Sequence, residues 1–279
     1  PAGVHRRSHS RDLFSIYRSF WSYPGRSSGC SHPADGVDSA EAPLIDIEDL
    51  QFSYDDSPVL RGVDLQVRPD ETLALVGPNG SGKTTLAKHL NGLLTADAGS
   101  IAFRGRDITE TSASELAAHV GYVFQDPDTQ LYARTVREEV AAGPENLGSG
   151  DIGRRIDHAL SVVGLHGRQD ETIGGLSRGD KQRVAIAAVL ALDPSVLVLD
   201  EPSTGLDYRR FWDIMSALQS AFMDGTRSIV LVSHDAAIVE TWTDRVLELR
   251  EGEVAARDVT ADEPTPGTAS TTLSVGEIS

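Results

Sequence analysis

Gly77-Pro78-Asn79-Gly80-Ser81-Gly82-Lys83-Thr84, directly after the apolar run Thr72-Leu73-Ala74-Leu75-Val76, decides the fold. The octapeptide satisfies the phosphate-binding spacing G-x-x-x-x-G-K-[ST] in full. Glycines let successive backbone N–H groups turn inward around phosphate oxygens with no Cβ in the way. Lys83 supplies a cation for the β- and γ-phosphates, and the Thr84 hydroxyl is an oxygen ligand for Mg²⁺. The preceding run is short and apolar, as a buried strand is. From Lys83 to Leu94 the residues Leu86, Leu90, Leu93 and Leu94 recur at helical spacing. Strand, glycine-rich turn and helix N-terminus together make an anion site. A chance glycine-rich turn would not carry these flanks. Gly77 to Thr84, with Thr85 behind them, are therefore candidate nucleotide contacts.

A chain of 279 residues has room for one large domain or two small ones. Its longest apolar run, Val184 to Leu192, is far short of the ~18–20 residues of a membrane span, so any work at a membrane is that of a peripheral subunit. The single cysteine, Cys30, excludes an intrachain disulfide and a cysteine metal cluster. Acidic residues number 42 against 25 basic, a net charge of −17, which argues against a nucleic-acid partner. Lysines are confined to Lys83, Lys88 and Lys181. Excess acid with little lysine fits a salt-adapted, halophilic protein; a GC-rich genome that favours arginine is the alternative. By itself, the charge says that the folded state repels itself at low salt.

Residues 1–42 are rich in Ser, Arg, Gly and Pro without periodic apolar spacing, and read as a disordered or extraneous region. Asp12 to Trp21 as a short amphipathic helix is the rival reading. The absence of an initial Met suggests a chain that begins mid-frame or was processed. The folded part is expected over 43–258. Leu44–Ile47 and Val63–Val67 alternate as half-buried strands and are expected to pair antiparallel. Ser100–Phe103 is another strand. A small helical subdomain is expected over about 128–178, then a helix from Asp180 to Leu192. Val196–Leu199 and Ile229–Val232 fit central strands of a parallel sheet covered on both faces. The tail 259–279 reads as disordered.

Val196-Leu197-Val198-Leu199 ends in Asp200-Glu201. An acid at the carboxyl end of a buried strand faces the crevice where α/β sheets bind ligands. Asp200 is a candidate Mg²⁺ ligand, and Glu201 a candidate base for an attacking water.

With these motifs the chain resembles the nucleotide-binding subunit of an ABC transporter over about residues 44–256. The resemblance implies an α/β P-loop NTPase of ABC type: a mostly parallel core sheet, an antiparallel β subdomain and a small helical subdomain. Tyr54 matches the aromatic that stacks on adenine. Gln125, in Val123-Phe124-Gln125-Asp126-Pro127, matches the Q-loop glutamine, which senses Mg²⁺ and the γ-phosphate where the membrane partner docks. Leu176-Ser177-Arg178-Gly179-Asp180 matches the signature motif Leu-Ser-Gly-Gly-Gln, whose Ser177 and Gly179 would meet the nucleotide of the opposite subunit. Arg178 and Asp180 depart from that motif. Arg178 would strengthen or obstruct the contact; Asp180 would face away or pair with Arg183. Ser203-Thr204-Gly205-Leu206-Asp207 matches the D-loop, and His234 the switch histidine.

The run from Gln125 through Asp128-Thr129-Gln130-Leu131 to Gly143-Pro144-Glu145-Asn146-Leu147-Gly148 is similar to the ATPase of energy-coupling factor transporters, which take up metal ions and vitamins. The resemblance implies an ATP- and Mg²⁺-dependent ATPase, with Lys83, Gln125, Glu201 and His234 catalytic and Thr84, Gln125 and Asp200 on the metal. It implies a homodimer or a heterodimer with a second ABC ATPase, on the cytoplasmic face of the membrane. The partners are an integral membrane coupling subunit and a substrate-capture subunit. The alternatives are the ATPase of another ABC transporter type, a soluble non-transport ABC ATPase, and a binding-only regulatory subunit.

Overall fold

Two sheets share the framework of the computed structural model, which describes residues 42–257. The readings for the first 41 residues, the amphipathic helix among them, and for the tail lie outside the described residues.

The first sheet is antiparallel, in the order β2-β1-β4-β5. It comprises β1 (Ile45–Tyr54), β2 (Ser57–Val67), β4 (Ala98–Phe103) and the short β5 (Arg106–Asp107). The expected pairing holds: Ile45 faces Val67 and Ile47 faces Leu65. Alternation along these strands buries Ile45, Ile47, Leu65 and Val67 on one face and leaves the acids on the other. A bulge interrupts β1 at Asp49, which has φ 46°. Gly99 lies opposite at φ 87°, and a Cβ there would stand 2.3 Å from the Asp49 carbonyl oxygen.

The second sheet runs β10-β9-β3-β8-β7-β6. Its members are β3 (Thr72–Val76), β6 (Val120–Val123), β7 (Val196–Asp200), β8 (Ser228–Val232), β9 (Arg245–Arg250) and β10 (Glu253–Arg257). All neighbours are parallel except the β9–β10 edge. Every residue of β7 and β8 is buried, which requires cover on both faces. Helix α1 (Lys83–Leu90) and the first sheet cover one face: Leu86 and Leu90 join Leu73, Leu75, Val198 and Val230 in one cluster. A helical layer covers the other, where Val184, Val189, Phe211, Met215 and Trp242 meet Leu197, Leu199, Ile229 and Leu231. Each such side chain, fully buried, contributes about 1.5–3 kcal/mol.

That layer contains α3 (Val136–Asn146), α4 (Ile152–Val162), α5 (Arg178–Leu190), α6 (Tyr208–Ala221) and α7 (Ala236–Trp242); the short α2 (Ala113–His119) leads into β6. Three boundaries differ from the periodicity. Helix α1 ends at Leu90 rather than Leu94, because Gly92 takes φ 70°; Leu93 and Leu94 stay buried outside the helix. Helix α5 starts two residues before the expected Asp180, because the Ser177 hydroxyl accepts the Asp180 N–H as an N-cap. It stops early because Asp193 turns left-handed ahead of Pro194.

His89 is a titratable residue within the apolar core. His89 is fully buried, its Nδ1–H donates to the Thr85 carbonyl at 2.7 Å, and Phe52 packs edge-on at 4.7 Å. Burial outweighs the Thr85 bond and lowers its pKa from 6.5 to about 4. The unfolded chain therefore takes up this proton first as pH falls. Stability drops from about pH 6.5 downwards, and the loss is nearly complete at about pH 4. In denaturant titrations the wild type should lose about 3 kcal/mol more than His89→Gln between pH 7 and pH 4; parallel curves would remove His89 as the cause. Gly99→Ala should cost about 2–3 kcal/mol in the same assay at neutral pH, from strain at positive φ plus collision with Asp49.

Candidate nucleotide triphosphate site

Parallel strands end on the same edge, so the C-termini of β3, β6, β7 and β8 bring four sequence-distant segments together. From β3 comes the loop 77–84. Gly77 has φ 143°, and a Cβ there would lie 2.2 Å from the Leu249 carbonyl oxygen, so the loop's first turn accepts only glycine. Gly82 precedes α1 in a left-handed conformation and offers no side-chain cap, and the first turn of α1 carries no acid. Helices α2, α3, α5, α6 and α7 are capped by a Ser, Thr or Asp side chain, and α4, like α1, is not. At α1 the open amides follow the glycine-rich loop, which leaves them for an external anion.

Lys83 is nearly buried, and its ammonium donates to the loop's own carbonyls, Gly77 at 2.8 Å and Pro78 at 3.0 Å. Pro78, Asn79 and Gly80 are exposed, whereas the Ser81 hydroxyl is buried without a partner. An orphan hydroxyl inside a ring of amides fits a phosphate oxygen. Thr85 is buried one residue further into the helix.

From β7 comes Asp200, 2% exposed. Its Oδ1 accepts from Thr84 Oγ1 at 3.2 Å, and its Oδ2 from the Tyr122 hydroxyl at 2.8 Å. Burial raises its pKa; the bonds from Tyr122 and Thr84 oppose the rise. A hydroxyl and one carboxylate facing a phosphate loop fit Mg²⁺, which keeps waters and substrate oxygens in its shell. Among the described residues no group of three or more His, Cys, Asp or Glu forms a metal cage.

Glu201 turns out of the strand at φ 49°, a conformation uncommon for a non-glycine residue, while its N–H stays on the ladder through the Val232 carbonyl at 3.0 Å. The turn aims its carboxylate at His234 beyond β8. His234 Nδ1 lies 2.9 and 2.8 Å from the two Glu201 oxygens. The rest of the imidazole is exposed.

From β6 comes exposed Gln125. Its loop is held from below: the Phe124 N–H donates to Gln130 Oε1 at 3.2 Å, and Gln182 Nε2 reaches the Phe124 carbonyl at 3.4 Å. Beyond it, Glu139 of α3 accepts the N–H groups of Tyr132 at 2.9 Å and Ala133 at 2.7 Å. Burial raises the Glu139 pKa despite these two bonds.

The structure gathers the loop, Asp200, Glu201 and His234 at one edge. Tyr54 is half-exposed at the end of β1, edge-on to Phe52 at 4.9 Å. Its hairpin partner β2 leans on the loop, where a Cβ on Gly82 would meet Leu60 and Val59 at 3.1 and 3.2 Å. Ser177 caps its own helix from an exposed position, and Gly179 is buried where a Cβ would stand 2.9 Å from the Gly205 carbonyl oxygen. Asp180 does pair with Arg183, and with Arg168 at 3.3 Å. Burial pushes its pKa up, but the bonds from Arg183, Ser177 and Arg168 win and hold it below the usual carboxylate range.

Sequence reasoning missed Tyr122, Gln130, Gln182 and Glu139 as supports. Nothing local marks Tyr122; a strand tyrosine is an ordinary core residue until β6 and β7 are paired. Buried Glu139 had a weak signal in the helix-start pattern Thr135-x-x-Glu138, which forms a capping box beside it.

A buried parallel-sheet edge carrying this loop and these carboxylates defines a P-loop nucleotide triphosphate-binding protein. The family pattern described as ABC transporter matches residues 60–204. The energy-coupling factor transporter ATP-binding protein EcfA of Methanothermobacter thermautotrophicus is 41% identical over 218 residues, covering 76% of this chain and 70% of that protein. CbiO1 of Clostridium perfringens, part of the ABC transporter complex CbiONQ, superposes with TM-score 0.70 at 35% identity, over 76% of this chain and 87% of its own. A bacterial Atm1-family ABC exporter with ATP bound gives TM-score 0.69 at 28% identity, over 81% of this chain and 40% of its own. The chain belongs to the ABC transporter family. Tyr54 and His234 lie outside the segment that the family pattern matches.

Tyr122→Phe leaves Asp200 Oδ2 buried with one donor fewer. It should cost about 1–3 kcal/mol of stability and weaken Mn²⁺ binding to the ATP-loaded protein, read by Mn²⁺ electron paramagnetic resonance. Unchanged Mn²⁺ affinity would show that Tyr122 does not orient Asp200.

Proposed function

We propose that this chain is the ATP-hydrolysing subunit of a transporter of the energy-coupling factor type, importing a metal ion or vitamin. The observation that carries the hydrolytic reading is the Glu201–His234 contact beside the Thr84–Asp200 contact, at the mouth of the phosphate loop. The transporter type rests on the likeness to EcfA and CbiO1. An exporter shares the fold, so import rests on those two relatives and not on the architecture.

Bound Mg²⁺ would supply positive charge to the β- and γ-phosphate oxygens, with Thr84, Asp200 and Gln125 as its protein-side neighbours. Glu201 takes a proton from the attacking water as its oxygen bonds to the γ-phosphorus. The bond to the β-phosphate oxygen breaks, and ADP leaves with the electron pair. His234 holds the Glu201 carboxylate in place. The loop amides and Lys83 meet the charge that develops on the phosphoryl oxygens. To do so, the ammonium exchanges the Gly77 and Pro78 carbonyls for phosphate. Tyr54 stacks on the adenine.

Ser177 and Gly179 act on the nucleotide of a second copy, so the working unit is a head-to-tail homodimer or a pair with another ABC ATPase. A membrane coupling subunit docks at the Gln125 loop, and a substrate-capture subunit selects the solute. Among the described residues no helix is long and apolar enough to cross a membrane; a peripheral place on the cytoplasmic face is supported by the likeness to EcfA and CbiO1. The acid-rich composition supports a salt-adapted cytoplasm and no nucleic-acid partner.

Glu201→Gln should bind ATP as the wild type does and hydrolyse it about a hundredfold more slowly or worse; turnover at the wild-type rate would remove Glu201 as the base. Lys83→Ala should weaken ATP binding by about tenfold or more, measured by calorimetry. Affinity purification from native membranes at high salt should recover a transmembrane coupling subunit and a capture subunit; a paired permease instead would point to another ABC transporter type.

A further inference from the structure

We propose that Arg178 is a positioning residue that ties the D-loop and the Gln125 loop to the start of helix α5. Three segments meet on this one side chain. Its guanidinium Nη2 lies 3.6 Å from Asp126 Oδ1, on the residue next to Gln125. Its aliphatic stem lies on Gly205, where an added Cβ would come within 2.9 Å of both Cγ and Cδ. Its own backbone sits between Ser177, the helix cap, and Gly179, which packs on the Gly205 carbonyl oxygen.

The cation is thus turned along its own chain. The same helix face repeats the connection one turn on, where Lys181 pairs with Asp128 at 2.6 Å. Gln182 adds its bond to the Phe124 carbonyl. Asp126 is in turn the cap of the short turn Pro127–Thr129, so a pull on its carboxylate moves the backbone that carries Gln125. A glycine at 178, as the resembled signature motif has, would leave neither the ion pair nor the stem. Both charged side chains are about half exposed, so the pair itself is weak, and the apolar contact with Gly205 has to share the load. The consequence rests on the two-copy reading above: a load felt at Ser177 reaches Gln125 through one residue on each side, Arg178 and Asp126.

The test is hydrogen–deuterium exchange of the full chain without nucleotide, alongside steady-state ATP turnover. Arg178→Gly should raise exchange about two- to fivefold over 124–130, and also over 203–207, with distant strands unchanged. Asp126→Asn should loosen 124–130 alone, since the stem still covers Gly205. Arg178→Lys, which keeps charge and stem, should restore most of the protection. In turnover, Arg178→Gly should lower kcat with KM for ATP unchanged. Wild-type exchange in both loops of Arg178→Gly, or a rise spread over the whole chain, would overturn the proposal. Because exchange is read without nucleotide, an inactive wild-type protein would count against the ATPase reading and leave this one standing on its own result.

Discussion

The hydrogen-bond register of four parallel strands is the constraint on which everything else rests. Leu75 of β3 lies opposite Val232 of β8, Val232 opposite Asp200 of β7, and Leu199 opposite Val123 of β6. The ladder runs past the strands: the Ser233 N–H reaches the Leu75 carbonyl at 3.3 Å, and the Glu201 N–H reaches Val232. That row of bonds sets the phosphate loop, Asp200, Glu201 and His234 at one level. A slip of one residue in β7 would turn Asp200 to the opposite face of the sheet, away from Thr84.

The site costs the fold something, and neighbouring groups offset it. Asp200 and Lys83 are charges taken largely out of water, which is unfavourable unless each is hydrogen-bonded. Tyr122 and Thr84 serve the carboxylate, and the Gly77 and Pro78 carbonyls serve the ammonium. The left-handed turn at Glu201 is a further strain, held by a ladder bond on its N–H and His234 on its carboxylate. On the proposed reading, a phosphate and a cation would replace the Lys83 and Thr84 contacts. The Gln125 loop is different. Gln182 and Lys181 hold it from α5 and Glu139 holds the segment beyond it from α3, while Gln130 closes the loop on itself at the Phe124 N–H.

Much of this was legible in the residues. The loop 77–84, the alternating strands of the first sheet and the uninterrupted apolar runs of β7 and β8 all stand where periodicity and composition indicate. Helix ends were less legible. Gly92 and Ser177 moved the limits of α1 and α5 through a local backbone choice that apolar spacing does not encode. Tyr122 and Gln182 were illegible as site residues. Each acts through a partner 78 and 58 residues away in the chain, on an element whose position no local pattern states.

By itself the sequence determined the local chemistry: a phosphate loop between a buried strand and a helix, and two acids ending a second buried strand. These follow from short-range physics, namely glycine's backbone freedom and the strand and helix periods. Whether Asp180 would face away or pair with Arg183, and whether Arg178 would turn to its own chain, was decided only by tertiary structure. The reason is the same in both cases. A charged side chain on a helix's first turn has several reachable partners, and the packing of Arg168, Gly205 and Asp126 around it selects among them.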